Sequence, residues 1–137
     1  RQLKMRHEAS VIFIDYIGLM PLTGRENVSI ELGNITRGLK SLAMQEDVCV
    51  IALSQLNRDA DDGTPKLSNL RNSGAIEQDA DVVLLLDRKV ASDGEASRNA
   101  TLLVAKHRQG ETGTIALSWN PERVQFYPRS FLQEEDF

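Results

Sequence analysis

VIFIDYIGLMPLTGRENVSIELGNITRGLKSLAMQEDVCVIAL, residues 11–53, is the stretch that decides the fold. Val11 to Ile14 form a continuous apolar run with β-branched residues and no polar alternation, the pattern of a strand buried on both faces. The run stops at Asp15. With Asn27 or Ser29 as N-cap, Val28, Leu32, Ile35, Leu39, Leu42 and Ala43 recur at three- and four-residue steps to about Gln45. That spacing predicts an amphipathic helix. Val48 to Leu53 repeat the buried-strand pattern, so strand, crossover helix and strand predict a βαβ unit with parallel strands and the usual right-handed connection.

Working outward, residues 54–66 (SQLNRDADDGTPK) are polar, carry a Gly and a Pro, and are too long for a tight turn, which predicts a mobile functional loop. Ser68 is placed to cap a short turn through Leu70 and Arg71. Val82 to Leu86 predict a third buried strand. Thr101–Ala105 and Thr114–Ser118 predict a strand pair around Gln109–Gly113, with Val124–Tyr127 as a further edge. The fold class is α/β with a β-rich C-terminal end.

The composition sets bounds on function. A chain of 137 residues, 41% hydrophobic and 26% charged, has one domain's worth of core-forming material and excludes disordered, collagen-like and coiled-coil classes. No apolar run reaches the roughly 18 residues needed to span a bilayer, and RQLKMRHEAS lacks a signal-peptide core, so neither secretion nor a membrane role is expected. The single cysteine, Cys49, excludes an internal disulfide and suits a reducing cytoplasm, and two histidines are too few for a zinc site. A net charge of −4 argues against gripping nucleic acid through bulk positive charge. Local contacts remain open, because residues 98–129 hold Arg98, Lys106, Arg108, Arg123 and Arg129 against Glu111 and Glu122.

Ligands of an open parallel sheet gather beyond the carboxyl ends of its strands, where Asp15 and Gln55 both fall. An aspartate there can hold Mg²⁺ beside nucleotide phosphates, because magnesium takes hard oxygen ligands; it can equally be a turn or cap carboxylate. Gln55 can donate an amide hydrogen bond to a terminal phosphate or be an ordinary surface glutamine. A right-handed crossover would bring the two to one sheet edge. Lys106 and Arg108, two apart at a strand end, share a face and suit polyphosphate, or form a solvated strand end. Arg71 with Ser73 and Gly74 could meet a phosphodiester through backbone N–H groups and charge, or mark a helix terminus. A P-loop needs Gly, four residues, then Gly-Lys-Ser/Thr. The nearest string, Gly33 to Ser41, inserts Leu39 before Lys40 and falls inside the expected helix, so it is a decoy.

Four motifs, Val11–Met20, Ala52–Arg58, Leu70–Asp81 (LRNSGAIEQDAD) and Lys106–Gly113 (KHRQGETG), resemble in sequence, order and spacing those of DnaB-type replicative helicases, while the stretch from Asp15 to Asn27 and the loop 89–99 diverge as in a phage or prophage version. The resemblance implies a partial RecA-like fold with a mostly parallel sheet. It also implies an ATP-hydrolysing motor that forms a ring, expected to be a hexamer, translocates on single-stranded DNA and unwinds duplex during replication, with primase and a helicase loader as partners. By motif, Asp15 resembles the Walker B aspartate that organises Mg²⁺, and Gln55 the glutamine that senses the terminal phosphate of ATP. Lys106 and Arg108 resemble the pair that reaches a neighbouring subunit's ATP site. Arg71, Asn72 and Gly74 fall in the segment resembling the DNA-contacting loop, with Asn72 where the family usually has Glu.

By the same resemblance, residues 1–137 are the C-terminal portion of a single motor domain, with the P-loop, the water-activating glutamate and the N-terminal domain upstream. The chain alone is then expected to be inactive. A RecA-type recombination or repair ATPase would share Asp15 and Gln55, but the Leu70–Asp81 and Lys106–Arg108 strings favour the helicase; a non-catalytic assembly or binding module is the alternative of another class. Without a P-loop strand between them, the strands at 48–53 and 82–86 are expected to pair directly or to recruit a second chain.

Overall fold

The computed structural model describes residues 9–57, 64–70, 73–88 and 98–129. They fall into two compact units, one of residues 9–57, 67–70 and 73–80, the other of 64–66, 81–88 and 98–129.

The first unit contains the expected βαβ. Strand β1 (Val11–Ile14) pairs in parallel with β2 (Cys49–Ala52), with Val11 opposite Cys49 and Ile14 opposite Ala52. Helix α1 (Val28–Glu46) makes the crossover. Asn27 caps it by accepting from the Ser29 N–H (2.9 Å), satisfying a donor left over in the first turn. The helix stops at Asp47, which takes the left-handed conformation and donates its N–H to the Ala43 carbonyl. The Gly33 to Ser41 string lies wholly inside α1, as its spacing required of a decoy.

Helix α2 (Ser73–Asp79) packs on α1. Gly33 makes the approach possible, since a Cβ there would sit 3.1 Å from the Ala75 Cβ. The buried Thr36 hydroxyl, which also lies 3.1 Å from the Gly33 carbonyl, donates to the Asp79 carboxylate and ties the two helices. Ile17, Leu32 and Leu70 are the most buried apolar side chains of this unit.

The second unit is an antiparallel sheet in sequence order: β3 (Val82–Asp87), β4 (Asn99–His107), β5 (Gly113–Asn120) and β6 (Gln125–Pro128). The β4–β5 hairpin is the expected strand pair, longer at both ends. The His107 ring lies over Gly110 in the hairpin's turn, where a Cβ would run into the ring and oblige this exposed side chain to swing aside. Between β5 and β6, the Asn120 side chain accepts from the Glu122 and Arg123 N–H groups (3.0 and 3.2 Å), an Asx turn. Trp119 and Phe126 stack at 4.6 Å between centroids, with the Arg88 guanidinium 4.8 Å above the Trp119 ring.

Three expectations change. The parallel character is confined to β1–β2, and the other three pairings are antiparallel. An apolar run specifies burial but not strand direction, and β3 finds its partner in β4. For the same reason β2 and β3 lie in separate sheets, so the direct-pairing arm of the expectation for these two strands is not met and pairing with a second chain is the arm left standing. Nor are the strands buried on both faces: Phe13 is 73% exposed, and in β3 Val83 and Leu85 are buried while Val82, Leu84 and Leu86 are exposed. That alternation is the signature of an antiparallel strand with one covered face.

The candidate nucleotide and DNA site

Asp15 directly follows β1 and is exposed. The Leu53 N–H donates to the Ile14 carbonyl and the Ile17 N–H to the Leu53 carbonyl, both at 2.9 Å, so the chains leaving β1 and β2 are stitched together at their carboxyl ends. Parallel pairing therefore brings Asp15 and the exposed Gln55 to the same end of one sheet, as the crossover argument required. Among the described residues no three His, Cys, Asp or Glu side chains form a metal cage. A single hard carboxylate at a strand end is the donor set that suits Mg²⁺, which keeps several waters and takes phosphate oxygens. The residues present fit that ion.

The connection from Asp15 to α1 is held by a residue the sequence reading passed over. Glu31 is buried in the first turn of α1, and its carboxylate accepts from the Thr23 N–H and hydroxyl (both 2.6 Å), the Arg25 N–H (2.9 Å) and the Glu26 N–H (3.1 Å). The Thr23 hydroxyl bond does most to lower its pKa from an ordinary 4.5 to about 2, against burial, which pushes it up, with backbone N–H groups of the 23–26 turn adding to the lowering. An acid in a helix's first turn looks, in sequence, like a favourable dipole partner and nothing more. The visible signal was the Thr-Gly string eight residues earlier.

Gln55 is linked in turn to the candidate DNA-contacting segment. Leu56 forms a bridge with Leu70, the Asn57 N–H donates to the Asn69 carbonyl (2.8 Å), and a 3₁₀ turn spans Leu67–Asn69, so Ser68 lies inside a turn that begins earlier than the one it was expected to cap through Leu70 and Arg71. Arg71 and Asn72 lie outside the described residues, as does the 58–63 part of the expected mobile loop. Gly74 is exposed in the first turn of α2, with open space where a Cβ would be.

Lys106 and Arg108 belong to the second unit. Lys106 is half-buried near the end of β4 opposite Val83, and Arg108 is exposed in the turn that follows. Arg108 contacts Asp81, Nη1 to Oδ1, at 3.1 Å, and its N–H donates to the Asp81 carbonyl at 2.8 Å. Both side chains are about half exposed, so this pair belongs to the class that contributes about 0–1 kcal/mol. Asp81 was also passed over, because its contact depends on a strand register that the sequence does not display.

Residues 1–128 match the family model described as the DnaB-like helicase C-terminal domain. The chain is 46% identical over 87% of its length to the replicative DNA helicase DnaB of Leifsonia xyli subsp. xyli. It is 40% identical over 92% to a probable plasmid replicative DNA helicase of Chlamydia muridarum. It spans 27% and 28% of those two relatives. Among solved structures, a DnaB-like replicative helicase studied for its interactions with primase superposes with a TM-score of 0.82 at 36% identity, over 92% of this chain and 32% of that one. A solved ATPase domain gives the same score and identity over 93% of this chain and 48% of its own. These likenesses agree with the α/β, RecA-like class, and no described helix is long and apolar enough to cross a membrane.

Proposed function

Because the chain belongs to the DnaB-like helicase C-terminal domain family, we propose that it is the C-terminal portion of a replicative helicase motor that couples ATP hydrolysis to translocation on single-stranded DNA and duplex unwinding. The observation that carries this reading is the parallel register that brings Asp15 and Gln55 to one end of the β1–β2 pair. Asp15 would hold Mg²⁺, and the bound ion supplies charge that neutralises the phosphate oxygens of ATP. Gln55 donates its amide N–H to the terminal phosphate, a bond that exists only while that phosphate is attached. The Leu56–Leu70 bridge and the Asn57–Asn69 bond give that event a short covalent and hydrogen-bonded path to Arg71, Asn72 and Gly74. Those residues meet the DNA backbone, which favours the path as the link between nucleotide state and grip on the strand.

Lys106 and Arg108 serve the ATP site of a neighbouring identical subunit in a hexameric ring. In this reading Asp15 and Gln55 act on one nucleotide and the basic pair on the next. The P-loop and the glutamate that activates water come from residues outside these 137. Primase and a helicase loader are the expected partners, and the cytoplasm the expected compartment. The test is hydrolysis and unwinding by the full-length protein: Asp15→Asn should abolish both, and Gln55→Ala should keep ATP binding while losing DNA-stimulated turnover. Wild-type hydrolysis by Asp15→Asn would overturn the reading.

A further inference from the structure

Arg108 is not simply an arginine on a loop. The β3–β4 register sets Val82 opposite His107, so Asp81 and Arg108 are the next pair outward, and the 2.8 Å bond from the Arg108 N–H to the Asp81 carbonyl extends the ladder to them. Their side chains then meet across strands at 3.1 Å without either backbone being free to search. An arginine carries five N–H donors in a rigid fork, so a guanidinium that meets Asp81 through Nη1 is able to serve a second acceptor at the same time. We propose that Asp81 is a positioning residue for Arg108, holding the guanidinium at a fixed angle to the end of the β3–β4 ladder so that it is presented, already ordered, to the phosphates of a neighbouring subunit's ATP.

This rests on the reading of Arg108 as the arginine that acts across the subunit boundary. Two features make Asp81 a holder and not a competitor that must be removed. The backbone bond fixes the aspartate independently of its carboxylate. The pair is also half exposed, where screening by water and salt keeps a single carboxylate from outcompeting a polyphosphate for the guanidinium. Positioning of this kind acts on turnover and not on ground-state affinity, because the arginine's largest contribution comes as charge develops on the transferring group.

The test is single-stranded-DNA-stimulated ATP turnover by the full-length ring, with kcat and KM separated, for Asp81→Asn, Asp81→Glu and Arg108→Ala. Asp81→Asn should lower kcat by up to about fivefold, about 1 kcal/mol, the upper end of what a half-exposed pair contributes, with KM changed by less than about twofold. Asp81→Glu, which keeps the charge, should recover most of the loss. A merely structural role would lower the melting temperature without this split and without rescue by glutamate. Wild-type kcat in Asp81→Asn beside a dead Arg108→Ala overturns the positioning role alone. Wild-type kcat in Arg108→Ala overturns both this role and the trans-acting reading beneath it.

Discussion

Two glycines on one helix provide an internally controlled test of how α2 is seated. Gly33 and Gly38 both lie inside α1, so replacing either with alanine should bring the same intrinsic gain, roughly 0.5–1 kcal/mol, from reduced backbone freedom in the unfolded chain. Their surroundings differ. A Cβ at Gly38 meets nothing within 4 Å, whereas one at Gly33 comes to 3.1 Å from the Ala75 Cβ, closer than an ordinary carbon contact. Both atoms are rooted in helix backbone, so relief requires α2 to move, and overpacking of this kind costs about 1–3 kcal/mol. Gly38→Ala should therefore stabilise the chain, and Gly33→Ala should end between neutral and about 2 kcal/mol destabilised once the intrinsic helix gain is subtracted. The two variants then differ by the packing cost alone, so in urea, with slopes of about 1–3 kcal/mol/M for a protein of this size, their midpoints should separate by about 0.3 M or more, Gly38→Ala above wild type and Gly33→Ala at or below it. Ala75→Gly added to Gly33→Ala should recover the packing part of the loss and leave a favourable coupling in the double-mutant cycle. Because α2 carries Gly74, Gly33→Ala in the full-length protein should also weaken binding of single-stranded DNA, and Gly38→Ala should not. Equal upward shifts of both midpoints would refute the close approach of α1 and α2.

Three further outcomes follow from the site. Arg108→Ala in the full-length protein should abolish hydrolysis while sparing nucleotide binding, and mixing it with Asp15→Ala subunits should restore activity at mixed boundaries where both residues are intact; no recovery in well-mixed rings would count against action in trans. The 137-residue chain contains no Gly-x₄-Gly-Lys-Ser/Thr string, so calorimetry should find Mg-ATP binding weaker than a Kd of about 1 μM, roughly −8 kcal/mol. Glu31 has a folded pKa of about 2 against an ordinary 4.5, so its ionised form contributes stability above the higher value that is lost as pH falls from there through the lower one. Acid denaturation of Glu31→Gln should lack that part of the pH dependence, and unchanged acid sensitivity would show that the Thr23–Glu26 turn is held by something else.

What could be read in the sequence follows from which interactions are local. The βαβ unit was legible because α1 announces itself by its apolar spacing and its Asn27 cap, and because the lengths of the two flanking apolar runs suit strands; chirality then left one connection. The placement of Asp15 and Gln55 followed without further information, since parallel strands put their carboxyl ends at one edge. The direction of β3 did not follow. VVLLL suits a parallel strand between two layers or an antiparallel strand with one face open, and only the partner chosen, β4, separates the two. Burial failed for the same reason: it is a property of what covers a strand, as the exposed Phe13 and Leu84 demonstrate.

The two residues the sequence hid are both acids whose roles depend on partners at a distance. Glu31 works by accepting from groups five to eight residues back in the chain, through a turn that exists only when those bonds are made. Asp81 works through a register offset by an irregularity between Val83 and Leu84, so counting residues along either strand would not have set it opposite Arg108. A motif comparison can assign Arg108 a proposed role because the arginine belongs to the matched string Lys106–Gly113. It is silent on Asp81, whose proposed role is to orient that arginine, and that kind of role becomes visible only when the ladder is built and the side chains at its end are found within 3.1 Å of each other.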